Sequence, residues 1–133
     1  MYATIEGEVA TVDATMTVLV VDDDPSIVEL VVLALEDEGY RVQHAVDGAA
    51  LRLAQEEPPD LILLDYMMPG MDGGEVSRRL RADPRTAAVP IVMMSAVQRL
   101  CVTAADLPVD DLLPKPFDLA HLYQAVAHWA RAA

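Results

Sequence analysis

The chain has one cysteine, one lysine, one phenylalanine and one tryptophan in 133 residues. No apolar run approaches the ~18 residues that a membrane span needs. The lone Cys101 excludes an internal disulfide and suits a reducing compartment. It reads as a small packing side chain rather than a reactive thiol. Aromatics make up only 5% of the residues, so the 53% hydrophobic content must build an aliphatic core. Bases are scarce: 9 Lys and Arg face 22 Asp and Glu, a net charge of −13. That sign repels phosphate backbones, which argues against direct nucleic-acid binding and for protein partners. The first residues carry Glu6, Glu8 and Asp13 and no base, the reverse of a secretory leader. A cytoplasmic protein without membrane insertion is the expectation.

At this length one domain is expected, large enough to bury roughly two thirds of its unfolded surface. Residues 1–16 lack periodicity and read as a loose tail, leaving 17–133 as the folded unit. From Thr17 onward, strand-like and helix-like stretches alternate. Thr17–Val21 is β-branched and apolar, and Asp24-Pro25 then caps and starts a helix. That helix carries Ile27, Leu30, Val31, Leu33, Ala34 and Leu35 on its apolar stripe and stops at Gly39. Arg41–Val46 is a mixed-polarity edge strand, and Gly48–Glu56 a second helix capped by Asp47. Leu61–Leu64 follows the breaking pair Pro58-Pro59. Residues 69–74 read as a loop before a third helix, Glu75–Ala82, whose Arg78, Arg79 and Arg81 point largely outward. Ile91–Met94 is the fourth strand, followed by a weak helix over 96–105. Leu112-Leu113 opens a short fifth strand, which Pro114 places at an edge. Asp118 caps a last helix through Arg131, with Leu119, Leu122, Val126 and Trp129 inward. Five such units predict a three-layer α/β fold: a parallel sheet of order 2-1-3-4-5 with helices on both faces.

Four apolar strands then end in polar residues suited to phosphate chemistry. The first stops at Asp22-Asp23-Asp24, the third at Asp65, the fourth at Ser95 and the fifth at Lys115. In a parallel sheet all four ends share the carboxyl edge, where open α/β folds bind ligands. Asp24 is accounted for as a helix cap, but one cap suffices, and Asp22 and Asp23 need another reason. Three carboxylates gathered with Asp65 either raise one another's pKa or hold a cation. A hard, oxygen-lined site with few protein ligands suits Mg²⁺. Lys115, between two prolines, supplies a compact ammonium for phosphate or carboxylate.

The segments VLVVDDDPS, LILLDYMMPGMDG, MMSA and PKPF resemble, in order and spacing over about 17–131, the signature segments of bacterial two-component response regulator receiver domains. The resemblance implies a flavodoxin-like fold of the chemotaxis-regulator kind. It implies that Asp65 is the phosphoacceptor, taking a phosphoryl group from a sensor histidine kinase or a histidine phosphotransfer protein. Asp23, Asp65 and the Met67 backbone carbonyl would ligate Mg²⁺, with Asp22 acting mainly through a metal-bound water. Lys115 would pair with Asp65 and then with the phosphoryl group, and Ser95 would close on a phosphoryl oxygen. Such a domain works in a phosphorelay and signals to a downstream protein by altered binding. It is not an enzyme beyond phosphorylating itself from small donors and slowly dephosphorylating itself. With no output module visible, a stand-alone domain is expected.

Three positions stand out against the pattern. Leu112 replaces the aromatic residue that many receivers carry three positions before the lysine, so an aromatic swing cannot carry the signal. Met67 and Val97, two residues beyond Asp65 and Ser95, are bulky and apolar, which predicts slow self-dephosphorylation. His121 and His128 share a face of the last helix and read as surface histidines rather than metal ligands. Two other readings compete. One is a degenerate receiver that binds protein without phosphorylation, which the intact acid set and Lys115 oppose. The other is a haloacid-dehalogenase-type phosphatase using the Asp-x-Asp spacing of Asp22–Asp24, which leaves Asp65 unexplained.

Overall fold

The computed structural model describes residues 15–46, 49–68, 70–96 and 107–132. The tail over 1–14, the Asp47 cap, Val97, Cys101 and the weak helix after the fourth strand lie outside them. Strands β1 (Thr17–Val21), β2 (Arg41–Ala45), β3 (Leu61–Asp65), β6 (Ile91–Ala96) and β7 (Asp111–Lys115) form one parallel sheet. Its order is β2-β1-β3-β6-β7. Counting sheet strands alone, this is the expected 2-1-3-4-5. Two extra arms, β4 (Met67–Met68) and β5 (Met71–Asp72), pair antiparallel inside the stretch expected to be a plain loop.

The three central strands carry unbroken apolar runs, 18–21, 61–64 and 91–94, because both faces are covered. Side chains alternate between those faces. Val18, Val20, Leu61, Leu63, Val92 and Met94 pack beneath α1 (Pro25–Asp37) and the last helix, α4 (Leu119–Ala132). Leu19, Val21, Ile62, Leu64, Ile91 and Met93 pack beneath α2 (Ala49–Glu56) and α3 (Gly73–Ala82). Each central strand therefore contributes to both layers, and its register is held from both sides.

Capping sets the helix starts. The Asp24 carboxylate accepts the Ser26 amide at 2.9 Å, with Pro25 in the first turn, and α1 gives way to Gly39 at φ +96°, a conformation glycine adopts without a Cβ penalty. The Asp72 carboxylate accepts the Gly74 amide at 2.8 Å, so α3 starts at Gly73, two residues before the expected Glu75. Three expected core residues lie outside. Leu30, Leu33 and Leu119 are exposed, Leu33 by 61%. A helix lying on a sheet buries only a narrow stripe, here Val31, Ala34 and Leu35 on α1 and Leu122 and Val126 on α4. Trp129 is half-buried and ties α4 to the edge strand, its Nε1 donating to Asp111 Oδ2 at 2.8 Å.

Arg81 also departs from its expected outward role. Its guanidinium donates to the carbonyls of Pro108 (3.0 Å), Ala87 (3.2 Å) and Val89 (2.6 Å) and pairs with Asp110. Asp110 in turn accepts the Ile91 amide at 2.8 Å. The end of α3 is thereby fastened to the entries of β6 and β7. Arg81→Ala leaves these acceptors to water and should cost about 1–2 kcal/mol, read as a lowered Tm in thermal denaturation.

Candidate functional site

The parallel register brings the four polar strand ends together. Asp22 and Asp23 follow β1, Asp65 closes β3, Ser95 lies near the end of β6, and Lys115 closes β7. They meet at the carboxyl edge beside the β1/β3 switch point, where the strand order reverses, the usual ligand crevice of this architecture. The cleft there measures about 310 Å³ and is lined by all five of these residues with Asp24, Tyr66, Met67 and Ala96.

Lys115 is the hub. Its Nζ donates to Asp22 Oδ2 at 2.8 Å and to Asp65 Oδ1 at 3.1 Å. The pairing expected with Asp65 is present, and a closer one with Asp22 accompanies it. Asp22 is fully buried, and its other oxygen accepts the Asp24 amide at 2.9 Å. Asp65 is 5% exposed, whereas Asp23 faces solvent. The bond from Lys115 to Pro116 is cis. Ser95 is buried, and its hydroxyl makes a long contact, 3.4 Å, to the Ala96 carbonyl. Met67 lies at the lip of the cleft, 54% exposed.

The electrostatics leave a surplus of negative charge. Burial, then the charge of Asp22, push the Asp65 carboxyl up to about 6, against the lowering effect of Lys115; Asp23 adds to the rise. Burial pulls the Lys115 ammonium down, but hydrogen bonds and charge from Asp22 and Asp65 outweigh it and hold its pKa above the ordinary lysine value. One ammonium does not balance three carboxylates. Asp22, Asp23 and Asp65 each offer an oxygen, and these atoms lie within 4.8 Å of one another. A set of hard oxygen donors carrying excess charge fits a divalent cation. Among the described residues no other group of three possible metal ligands comes together. His121 is exposed beside Asp118 and His128 stacks edge-on against Trp129.

The sequence did not show that Asp22 and Asp23, adjacent in the chain, would differ so completely in burial, nor that Asp22 would be the nearer partner of Lys115. Gly73, expected in a loop, opens α3, and a Cβ on it would overlap the Asp65 and Tyr66 backbone. The Gly73-Gly74 doublet straight after a capping aspartate was the available signal. Leu112 is half-buried against the α2/α3 layer and brings no ring to the site.

A doubly wound sheet with an acid-lined crevice and a bridging lysine at its switch point is the architecture of phosphoacceptor signalling domains. The family profile of the response regulator receiver domain matches residues 18–127. The chain belongs to this family, the receiver domains of two-component response regulators. It is 45% identical over 112 residues to the DNA-binding dual master transcriptional regulator RpaA of Synechocystis, covering 82% of this chain and 46% of that protein. It is 40% identical over 117 residues to the response regulator PleD of Caulobacter vibrioides, covering 86% of this chain and 26% of that one. The chain thus spans less than half the length of these relatives. Among solved structures, the receiver domain of the Pseudomonas aeruginosa sensor histidine kinase PA1611, with magnesium coordinated in its active-site cleft, superposes with a TM-score of 0.81 at 31% identity, covering 89% of this chain and 99% of that one. The Vibrio cholerae chemotaxis protein CheY4 superposes with a TM-score of 0.78 at 32% identity, covering 87% and 99%. No helix among the described residues is long and apolar enough to cross a membrane.

Proposed function

We propose that Asp65 is the phosphoacceptor and that residues 17–133 form the receiver unit behind the tail. An Asp65 oxygen attacks the phosphorus of a phosphohistidine on a sensor kinase or phosphotransfer protein. The new O–P bond makes an acyl phosphate as the P–N bond breaks and the histidine leaves with the electron pair. The observation that carries this reading is the Lys115 ammonium bridging Asp22 and Asp65 beside three convergent carboxylates. Mg²⁺ would be held by the carboxylates of Asp23 and Asp65 and the Met67 carbonyl, with Asp22 acting mainly through a metal-bound water, and would supply positive charge for the phosphoryl oxygens. A magnesium-loaded cleft in the PA1611 receiver domain supports that choice of ion.

The chain's own groups do the rest. Lys115 is anchored by Asp22, so it can transfer its Asp65 contact to a phosphoryl oxygen without leaving the site. The Ser95 hydroxyl can exchange its long 3.4 Å contact to the Ala96 carbonyl for that oxygen. Asp22 is a poor nucleophile candidate because both its oxygens are engaged in a buried position, which disfavours the phosphatase reading. The domain takes up one phosphoryl group rather than turning over a substrate. It signals, in the cytoplasm, by altered binding to a protein partner; its acidity does not favour direct contact with nucleic acid.

Incubation with acetyl phosphate and Mg²⁺ should label the protein to one phosphoryl group per chain, and EDTA should prevent it. A protein left unlabelled with Mg²⁺ present would sink this reading. Met67 at the cleft lip restricts the approach of water to an acyl phosphate. Met67→Asn should therefore shorten the lifetime of the phosphorylated form at least threefold, followed as loss of label after donor removal. An unchanged lifetime rules out this role for Met67.

A further inference from the structure

We propose that Gly73 is a positioning residue for the acceptor turn; the inference rests on the phosphoacceptor reading of Asp65. A Cβ placed on Gly73 would overlap the carbonyl oxygen of Asp65 itself and lie 2.8 Å from Tyr66 Cα and 3.0 Å from the Tyr66 carbonyl oxygen. Every one of these is a backbone atom, so no side-chain rotation can relieve the crowding. The Gly73 amide also donates to the Tyr66 carbonyl at 2.9 Å. The short ladder of Met67–Met68 with Met71–Asp72 closes the intervening turn, and the Asp72 carboxylate fixes the first turn of α3. The start of α3 is thus seated directly on the backbone of Asp65-Tyr66, the segment that aims the acceptor carboxylate and leads to the Met67 carbonyl.

Gly74 is the built-in comparison. It belongs to the same helical turn, but a Cβ there would meet the Leu107 side chain at 3.0 Å and the Asp72 carboxylate at 3.1 Å, and its three nearest atoms include none of Asp65 or Tyr66. If glycine at the start of α3 were only a packing requirement, alanine at either position would act alike. If Gly73 positions the acceptor turn, only alanine at 73 displaces the groups that hold the cation and take the phosphoryl group. Outer groups that orient metal ligands typically change metal affinity ~10–100-fold when altered.

The test compares full-length wild type, Gly73→Ala and Gly74→Ala by thermal denaturation, by calorimetric titration with Mg²⁺ alone, and by the initial rate of acetyl phosphate labelling at saturating Mg²⁺. Gly73→Ala should bind Mg²⁺ ~10–100-fold more weakly and label more slowly even at saturation. Gly74→Ala should keep both within about threefold of wild type, whatever its Tm. Wild-type Mg²⁺ affinity in a folded Gly73→Ala protein, or an equal loss in Gly74→Ala, overturns the proposal. Should Gly73→Ala not fold, the wild-type Gly73 amide decides: its hydrogen exchange slows when Mg²⁺ binds if the two are coupled, because such coupling is reciprocal. Unchanged exchange overturns the proposal. A wild-type protein that binds Mg²⁺ but takes no label removes the phosphoacceptor reading instead, and leaves the calorimetric comparison of the two glycines intact.

Discussion

Asp65→Asn should take up no phosphoryl group from acetyl phosphate, while its metal-free form should melt at a higher temperature than the wild type. Both effects come from one property of the carboxylate. In the proposed role one of its oxygens is the nucleophile, and an amide cannot form an acyl phosphate. The same carboxylate is costly to keep ionised where it lies. Its pKa of about 6, against an ordinary 3.8, means that the folded protein prefers it protonated. That preference corresponds to on the order of 3 kcal/mol, and about 1–2 kcal/mol after solvent screening. The sign follows from linkage: for an acid raised on folding, the stabilising contribution is complete below pH 3.8 and is lost as pH rises through about 6. Metal-free wild type should therefore lose stability relative to Asp65→Asn across this window, and the gap should be widest above it. Mg²⁺ should narrow that gap by stabilising wild type more than the variant. Differential scanning calorimetry at pH 5 and pH 7.5, with and without Mg²⁺, measures both changes. Persistent label in Asp65→Asn would move the acceptor elsewhere, with Asp23, the exposed acid of the cleft, the first position to examine.

Lys115→Met should have the opposite effect on stability. Asp22 is fully buried, and Lys115 is its one cationic partner among the described residues. Removing the ammonium strands a buried carboxylate, which costs about 3 kcal/mol and on the order of 10 °C in Tm. Asp65 loses the same partner at 3.1 Å, so its carboxyl should titrate higher still in the metal-free protein. Labelling should persist only slowly, because no ammonium remains to take over a phosphoryl oxygen. Double substitution with Asp22→Asn separates the two roles. It should recover much of the lost stability by removing the stranded charge, without restoring the labelling rate. Equal melting temperatures for Lys115→Met and wild type in EDTA would show that the Asp22–Lys115 pair does not hold the site together.

The strand ends were readable because a parallel sheet turns linear order into geometry. Once the runs ending at Val21, Leu64, Met94 and Leu113 are strands of one doubly wound sheet, the polar residues after them must share an edge. Capping residues were equally local: Asp24 was identifiable from the proline after it. Asp72 was missed as a cap because the glycines behind it look like turn residues, although it is their amides and close packing that the turn requires. Leu30, Leu33 and Leu119 were misassigned because periodicity shows which side of a helix is apolar but not how wide a strip the neighbouring layer covers.

Amino-acid order alone was enough for the layer architecture, the strand sequence across the sheet and the acid-lysine set at its edge, since each follows from short-range pattern plus the chirality of β-α-β connections. Folding in three dimensions was needed to bury Asp22 while leaving Asp23 in water, to couple Asp22 to Lys115 93 positions away, to spread the Arg81 guanidinium over two loops, and to bring Gly73 against the Asp65 backbone. Burial and ion pairing depend on what the rest of the chain places around a residue, and nearest neighbours in sequence carry almost no information about that.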